Sequence, residues 1–501
     1  MAEKTNNSHR SKRDSAWWSN RFYTVLISVA LIGGGCAFLI PLFITSYGPG
    51  DNVPGLRQAF LAITGGTLAI LTLWETRRKN DQEHMRQVHA ERRTRYATAI
   101  EQLADEKAPI RLGGVYTLVK LVDEWLADEK TLPNEEERRE EGQVIINSLC
   151  AYIRSSFDLA SKAEMLSQDK TLEDYEGGTQ QFAKDQARFR EEKELRLTII
   201  EAIRTRLNSG FITQEDDTKK LLKGSWSNFD YDFSNAHFFY PVNFANSYFG
   251  ASSNFTQTTF TGDKGFKHSA FFRNSVFIKE SNFSDATFYG VSFSGATFEK
   301  NTDFTKAKFL QSMVNIQEII FIENYIKDID FSDASFAGEN NNFFGSEFHG
   351  TTNFSKAKFI GLSTTFTDTK FLRVVSFHKS KFKNVVFRTE FTENINFSKA
   401  EFIEIASFSN SIFIKGGVNF KGAIFKKYNP IFQSNPNSEY SKAKFSPKID
   451  PVDYNFKIDP KSPYKIETKE QEYNGVKFII PEDAMLFDPD NPFAWAEPAG
   501  G

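Results

Sequence analysis

Cysteine is scarce in this chain, and the sequence patterns of the common catalytic and metal sites are missing from it. The 501 residues include two cysteines, Cys36 and Cys150, too few for a disulfide framework. There is no Cys-x-x-Cys, no His-Glu-x-x-His, no phosphate-binding Gly-x-x-x-x-Gly-Lys-Ser/Thr loop and no Gly-x-Gly-x-x-Gly after a predicted strand. We therefore predict no catalytic residue, no metal site, no cofactor and no enzyme activity.

The chain also lacks a strong excess of charge of either sign. Its formal net charge is −3, so composition gives no preference for nucleic acid or for acidic surfaces. Residues 226–446 contain 23 Lys plus Arg and 20 Asp plus Glu, a net charge of +3. A protein that mimics DNA must reproduce about one negative charge per 1.7 Å of duplex axis. Nucleic acid and a DNA-mimicking role are therefore the least favoured alternatives.

Phenylalanine is abundant instead, and it is regularly spaced. Most of the 52 phenylalanines lie between residues 229 and 445, at intervals of five or six. The spacing is clearest in doublets five residues apart: Phe233 and Phe238, Phe244 and Phe249, Phe255 and Phe260, Phe283 and Phe288, Phe293 and Phe298, Phe304 and Phe309, Phe354 and Phe359, Phe397 and Phe402, Phe408 and Phe413, Phe420 and Phe425. These twenty residues are the predicted structural core of a repeat protein.

A small residue stands two positions before the second phenylalanine of each doublet, as at Ala296 and Ala357. Residues two apart in an extended segment point to the same side, so each unit directs one ring and one small side chain inward. A five-residue period fits neither a helix nor a flat strand. It predicts a chain that turns a corner at every unit, with stacked coils that bury the rings.

Units such as 353–359, with the sequence NFSKAKF, resemble the pentapeptide-repeat proteins. The resemblance implies a right-handed quadrilateral β-helix over residues 226–446. Because the phenylalanine signal fades between Phe309 and Phe331 while Ile316, Phe321 and Ile326 keep the step of five, we expect a degenerate coil there and no domain break. Seven-residue steps, one of them including Gly338 and Asn340 to Asn342, predict bulges or short loops.

Two apolar runs near the start of the chain predict a transmembrane hairpin, with helices at 22–46 and 57–75. Cationic residues cluster before and after the pair, whereas the short connection carries only Asp51 and Arg57. By the positive-inside rule both termini are cytoplasmic, which predicts a multi-pass protein of the cytoplasmic (inner) membrane. Glycines in the two runs would allow close helix packing within one hairpin or between copies: Gly33, Gly34, Gly35, Gly65 and Gly66.

Helical spacing of apolar residues predicts a small α-helical neck over residues 80–208. The segments 99–122 and 149–154 resemble the juxtamembrane region of bacterial two-span proteins that carry pentapeptide repeats. Together with a basic cytoplasmic N-terminus at 1–21 and a Pro-rich tail or cap at 447–501, the predicted fold is mixed. It consists of a helical hairpin, a helical neck and a β-helix. The helix at Glu191 to Leu207 is expected to cap the first coil.

Three functions fit this organisation, and the first is preferred. It is a membrane-tethered scaffold that presents its polar faces to an unknown cytoplasmic protein, with the lipid bilayer as the other partner and a homo-oligomer as a further one. The second is a membrane effector or channel-like assembly controlled by the cytoplasmic domain, against which the lack of charged residues in the two runs counts. The third is a DNA mimic that protects a topoisomerase.

Overall fold

The structure is a computed structural model that describes residues 2–43, 53–168, 175–214, 219–262, 269–317, 319–321 and 328–490. At 2–20, 41, 53, 311–315, 320 and 321 only the backbone is described. The chain divides into two compact units, Met1–Arg95 and Tyr96–Gly501.

The first unit is built from two helices, α1 (Ala2–Phe43) and the larger part of α2 (Val53–Leu103). The segments Arg21–Ile40 and Pro54–Leu103 each contain an 18-residue window, with mean hydropathy 2.1 and 1.4, that is long and apolar enough to cross a membrane by length and composition. The hydroxyls of Ser28, Thr64 and Thr67 donate to carbonyls one turn earlier, so these polar groups need no water. The end of the predicted span 22–46 lies outside the described residues.

Four further helices form the neck: α3 (Ala108–Ala127), α4 (Glu135–Arg154), α5 (Ala163–Leu166) and α6 (Gly178–Arg206), with a 3-10 turn at Asp158–Lys162. Asn134 caps α4 by accepting from the Glu136 amide at 3.0 Å. Acidic residues in the first turn of α4 and Arg154 in its last turn suit the helix dipole. The apolar faces of α3, α4 and α6 meet in a buried core.

The helical neck has longer helices than the sequence predicted. The helix expected at Glu191 to Leu207 starts at Gly178, because Phe182 and Phe189 extend its apolar stripe by two turns and are 2% and 1% exposed. A short antiparallel hairpin then follows, formed by β1 (Asn208–Thr213) and β2 (Lys219–Lys223). Sequence periodicity gave no indication of this hairpin.

The remainder is a β-helix with four ladders of parallel strands, here called faces one to four in the order in which each coil visits them. The ten first-face strands are Tyr231–Asp232, Ser253–Asn254, Ser281–Asn282, Thr302–Asp303, Asp328–Asp330, Thr351–Asn353, Val375–Ser376, Ile395–Asn396, Val418–Asn419 and Tyr454–Asn455. We number the coils 1 to 10 by these strands. Second-face strands are His237–Phe238, Thr259–Phe260, Ser335–Phe336, Lys358–Phe359, Lys381–Phe382, Glu401–Phe402 and Ile424–Phe425, with the first parts of Thr287–Ser292 and Lys308–Asn315.

The second parts of those two long strands belong to the third face. Its other strands are Val242–Asn243, Ala270–Phe271, Asn340–Asn342, Ser363–Thr365, Val385–Val386 and Ala406–Ser407. The fourth face has ten strands: Tyr248–Phe249, Val276–Phe277, Thr297–Phe298, Ile320–Phe321, Glu347–Phe348, Thr369–Phe371, Thr389–Phe391, Ile412–Phe413, Ala443–Phe445 and Ala484–Leu486. The predicted β-helix is confirmed in its stacked four-sided arrangement.

The array continues through the region where the phenylalanine signal fades. Ile316 and Ile319 are 2% and 1% exposed, and Thr302 of coil 4 pairs in register with Ile329 of coil 5. Residues 322–327, including the predicted core position Ile326, lie outside the described residues. The stack therefore passes this coil without a domain break, as the spacing predicts.

The sequence predicts a loop at Asn340 to Asn342, and this prediction is wrong. These residues form a third-face strand, and Asn341 is 1% exposed. Its side-chain amide donates to the Phe336 carbonyl at 3.3 Å and to the Thr364 hydroxyl at 3.2 Å. These bonds satisfy the amide nitrogen inside the coil, while the side-chain oxygen is buried without a partner among the described residues. Asparagine thus occupies an inward position that the pattern reserves for small or branched residues.

Both ends of the β-helix are covered. At the first coil, the Tyr248 amide donates to the Leu207 carbonyl at 2.9 Å, and the ring of Phe189 packs 5.4 Å from that of Phe239. At the last coil, the hairpin Thr468–Tyr473 and Val476–Pro481 leads into the final fourth-face strand. Phe478, Ile480 and Leu486 are buried there, while Phe493 and Trp495 of the predicted cap lie outside the described residues.

Candidate protein-interaction surface

The twenty phenylalanines of the predicted core all lie inside the β-helix, each at most 1% exposed. Rings of successive coils stack nearly parallel, as in Phe255 on Phe283 at 4.9 Å and Phe283 on Phe304 at 4.8 Å. Rings of opposite faces meet edge to face, the other arrangement that aromatic pairs favour, as in Phe283 and Phe293 at 5.6 Å. The phenylalanines therefore form the packed core, and any ligand or partner must contact the outward positions.

The small inward residues have a second role that the spacing did not reveal. From coil 2 onward, where the position carries serine or threonine, the buried hydroxyl donates to the carbonyl of a core residue one coil earlier. Examples are Thr258 to Phe233 at 2.8 Å, Ser380 to Phe354 at 2.6 Å and Thr389 to Phe366 at 2.7 Å. These hydroxyls are polar groups in an aromatic core, and the bonds satisfy them while linking successive coils. Ser247 of coil 1 has no preceding coil, and its buried hydroxyl has no partner among the described residues.

The first face carries the most regular outward pattern, an asparagine and aspartate ladder with one residue in nearly every coil. Each side-chain oxygen accepts from the amide two residues later, as in Asp303 with Thr305 at 2.7 Å and Asn396 with Ser398 at 2.9 Å. Between coils, the amide of Asn353 donates to Asp330 at 3.2 Å. Asn and Asp suit this position because their side-chain oxygens accept hydrogen bonds from backbone amides at the corner of the same coil.

In coils 1 to 9, the corner after the first-face phenylalanine requires a left-handed backbone. Non-glycine residues adopt positive φ there, including Asp285 at 55°, Lys356 at 60° and Lys399 at 57°. The corners stack directly, since the Lys356 amide donates to the His378 carbonyl at 2.8 Å and the Lys399 amide to the Lys421 carbonyl at 2.9 Å. We call the outward residue of each first-face strand and the two residues after its phenylalanine the ladder surface.

Charge is distributed unevenly along the ladder surface. In coils 1 to 5 its charged residues are Asp232, Asp285, Asp303, Asp330, Asp333 and Lys306. In coils 6 to 10 they are Lys356, Lys379, Lys399, Lys421 and Lys457. The ladder surface is thus acidic on its first half and basic on its second, and the boundary is marked by Lys356 and Asp333, 3.9 Å apart.

The buried polar groups of the neck serve packing. Arg196 is 2% exposed, pairs with Glu192 at 2.7 Å and donates to the Ile153 carbonyl at 2.8 Å, which ties α6 to the end of α4. The Tyr152 hydroxyl donates to Glu192 at 3.0 Å, and burial followed by the Glu192 charge raises the pKa of Tyr152. Burial also raises the pKa of the Cys150 thiol to about 12, which keeps it protonated and unreactive at neutral pH.

Among the described residues, no group of three or more His, Cys, Asp and Glu side chains is arranged to hold a metal ion. A groove of about 760 Å³ lies between the β1–β2 hairpin and coils 1 to 3 on the fourth face. Its lining combines apolar side chains such as Phe211 and Val276 with the ammonium groups of Lys219 and Lys220 and the carboxylate of Glu299.

The five glycines of the first unit differ in their surroundings. A Cβ on Gly33 would lie 2.1 Å from the Thr64 hydroxyl oxygen, so α1 and α2 approach closely at this point. A Cβ on Gly34, Gly35, Gly65 or Gly66 would meet nothing within 4 Å. Close packing within the hairpin therefore depends on Gly33, and the other four glycines face open space within the described part of the chain.

Comparison with known proteins agrees with the repeat geometry. The family profile described as pentapeptide repeats (9 copies) matches residues 265–308 and 387–428. The described residues of both matched segments lie within the β-helix, one set in coils 2 to 4 and the other in coils 7 to 9. No curated protein and no solved structure matches the chain.

Proposed function

Because this chain carries an array of pentapeptide repeats folded as a β-helix, we propose that it is a non-enzymatic, membrane-tethered scaffold that binds a cytoplasmic protein. The pentapeptide-repeat β-helix is a common fold of protein-interaction scaffolds, and proteins with this fold are typically not enzymes. The observation that carries the proposal is the ladder surface, a stacked row of hydrogen-bonding and charged side chains on a rigid element. A binding surface of this kind fixes the spacing of its contacts before the partner arrives.

The ladder surface is open to a partner. Lys379, Lys399 and Lys421 are exposed, and none of them has an ion pair with another residue that the structure describes. The hydrogen bonds of Asn254, Asn353 and His378 side chains run to other residues of the same surface. A binding partner would therefore meet ordered polar groups and unpaired charges together.

The two long apolar helices support the membrane tether. Arg21–Ile40 is long enough for a hydrocarbon core of about 30 Å at 1.5 Å per residue. Basic residues flank the two segments on the side of both termini, which favours a cytoplasmic neck and β-helix. We expect the full chain to remain in the membrane pellet after alkaline carbonate washing. Release into the supernatant would contradict the tether.

The binding surface is tested by photo-crosslinking in the native host. A photoreactive amino acid is placed at Ser332 or Ser355 on the ladder surface, and at Thr367 on the third face as the matched control. We expect a discrete adduct of a cytoplasmic protein from the first two positions and a much weaker one from position 367. Equal adducts from all three positions, or none from any, would contradict a scaffold that uses this surface.

A further inference from the structure

The acidic and basic halves of the ladder surface are complementary in charge. If a second copy of the surface is turned end to end, its basic half faces the acidic half of the first copy. Residues 226–351 contain 8 Lys plus Arg and 14 Asp plus Glu, a net charge of −6, whereas residues 352–446 contain 15 and 6, a net charge of +9. On the ladder surface the separation is nearly complete, with Lys306 as the one residue on the half of opposite sign.

We propose that the ladder surface binds a second copy of this chain in antiparallel orientation, around a two-fold axis between coils 5 and 6. The inference rests on the proposed scaffold role of this surface and names its partner. A two-fold interface uses the same patch on both copies, so a patch with opposite charge on its two halves is self-complementary. A partner of one charge sign would match only half of the surface.

The register follows from the positions of the charges. With the axis between coils 5 and 6, coil 5 of one copy faces coil 6 of the other, coil 4 faces coil 7, and coil 3 faces coil 8. Asp333 then faces Lys356 and Asp285 faces Lys399, corner to corner. Between coils 4 and 7 the corner residues Lys306 and Lys379 carry the same charge, and Asp303 of the coil 4 strand lies beside them. At the ends, Asp232 of coil 1 faces Lys457 of coil 10. The Asp333–Lys356 pair within each copy lies at the centre, where four charges of alternating sign would meet.

The stacked lysines explain why a partner is favoured. Successive coils are about 4.8 Å apart, so Lys379, Lys399 and Lys421 form a row of like charges that destabilises the isolated β-helix. Lys379 and Lys399 also help to lower the pKa of His378, after the larger effect of burial, so the row acts on a neighbouring group. In the opposing copy, Asp303 and Asp285 lie near Lys379 and Lys399 and relieve this repulsion, whereas Lys421 faces the uncharged ladder residues of coil 2.

The size of the surface sets the strength of the interaction. Ten strands at about 4.8 Å span about 48 Å, and three extended residues are about 10 Å wide, which gives about 500 Å² per copy. The total of about 1,000 Å² is at the lower limit of specific interfaces. The dimer is therefore weak and salt-sensitive, because exposed charges are screened beyond about 10 Å at 0.1 M salt.

Zero-length carbodiimide crosslinking of the full chain in detergent tests the register. Equal amounts of unlabelled and nitrogen-15-labelled chain are mixed, crosslinked and digested. We expect mixed-isotope peptides that join Asp285 to Lys399, at least fivefold more abundant at 50 mM than at 500 mM sodium chloride. Within one copy these residues are five coils, or about 24 Å, apart, so only a second copy can bring them together. Absence of this crosslink at low salt would overturn the proposal.

Charge reversal provides the independent test. The acidic variant carries Lys356→Glu and Lys399→Glu, and the basic variant carries Asp285→Lys and Asp333→Lys. All four positions are exposed corners with positive φ, where the native ladder already holds Lys, Asp and Gln257. Either variant alone should lose at least nine-tenths of its dimer, because like charges then face each other. An equimolar mixture should restore it, since every substituted corner then faces a residue of opposite sign.

The control variant, Lys358→Glu with Lys415→Glu, makes the same change in net charge at exposed positions outside the ladder surface. It should dimerise as the native chain does. Equal dimerisation of all variants would place self-association elsewhere and overturn the proposal. A monomer whose ladder surface still captures a different cytoplasmic protein would also overturn it, while leaving the scaffold role intact.

Discussion

The carboxylate of Asp123 in α3 accepts a hydrogen bond of 2.8 Å from the indole nitrogen of Trp226, at the start of the β-helix. The same carboxylate pairs with Arg206 at 2.8 Å, and the Arg206 guanidinium lies 5.0 Å from the centre of the Trp226 ring. The Trp226 amide donates to the Arg206 carbonyl at 3.0 Å. One acidic side chain thus joins the neck to the first coil.

Asp123→Ala removes both the indole acceptor and the partner of Arg206. We expect a loss of about 1 kcal/mol at this junction, because the pair is partly exposed and its contribution is reduced by solvent. Hydrogen exchange at the Trp226 and Tyr248 amides should accelerate, while exchange in coils 5 to 7 stays unchanged. Asp158→Ala is the matched control, since Asp158 pairs with Arg188 at 3.3 Å on an exposed part of the neck. Acceleration by both variants would mean that Asp123 has no special role in the junction.

The sequence predicted the β-helix well because the same constraint recurs in every coil. Phe354 and Ala357 illustrate it: a stacked coil needs a ring and a small neighbour at fixed positions, and the chain repeats them. The spacing could not predict that Asn341 faces inward, because the partner of its amide nitrogen, the Thr364 hydroxyl, lies in the next coil. Nor could it predict the pairing of Asp123 with Trp226, which are 103 residues apart.

The candidate surface was predicted only in part for the same reason. Repeated Asn, Asp, Ser and Lys residues indicated polar faces, but which residues share a face depends on the number of residues in each coil. The number of residues per coil varies along the β-helix. The paired first-face residues Tyr231 and Ser253 are 22 residues apart in the sequence, whereas Ser253 and Ser281 are 28 apart. The separation of charge on the ladder surface becomes visible only after these unequal coils are aligned by strand pairing.

Removing one core ring should weaken several coils. Phe354 stacks on Phe331 at 4.8 Å and on Phe377 at 5.0 Å. We expect Phe354→Ala to cost about 3 to 5 kcal/mol, because a cavity remains where neighbouring rings cannot collapse. Hydrogen exchange in coils 5 to 7 should accelerate. Lys358→Ala, at an exposed position of the same coil, should leave the hydrogen-exchange rates equal to those of the native chain within experimental error. Unchanged exchange in Phe354→Ala would contradict the stacked core.

The close approach of α1 and α2 at Gly33 can be tested with engineered cysteines in a Cys36→Ser background. Gly33→Cys combined with Thr64→Cys should form an intramolecular disulfide under mild oxidation, since a Cβ at 33 lies 2.8 Å from the Thr64 Cβ and a small shift gives disulfide geometry. Gly34→Cys with Thr64→Cys should react much more slowly. The mobility of the unreduced chain on a denaturing gel reports the bond. Equal rates for the two pairs would mean that the helices do not meet at Gly33.

Acidification should loosen the first coil through His237. Burial, with a smaller effect of the Arg196 charge, lowers the pKa of His237 below its ordinary value of 6.5, and the imidazole lies 3.2 Å from the Thr261 hydroxyl. Above pH 6.5 the ring is neutral in both the folded and unfolded states. As pH falls below 6.5 the unfolded chain binds the proton first, so the free energy of unfolding decreases until the folded ring is protonated as well.

We therefore expect amide exchange in coil 1, corrected for the intrinsic pH dependence, to accelerate between pH 7 and pH 5. His237→Gln keeps a polar side chain at this position but does not titrate, so it should remove most of the pH dependence in coil 1. His378, whose pKa is also lowered by burial and by Lys379 and Lys399, remains in the variant and provides an internal reference in coil 7. If coil 1 responds to pH equally in both proteins, the response does not come from His237, and the other titrating groups of the neck become the next candidates.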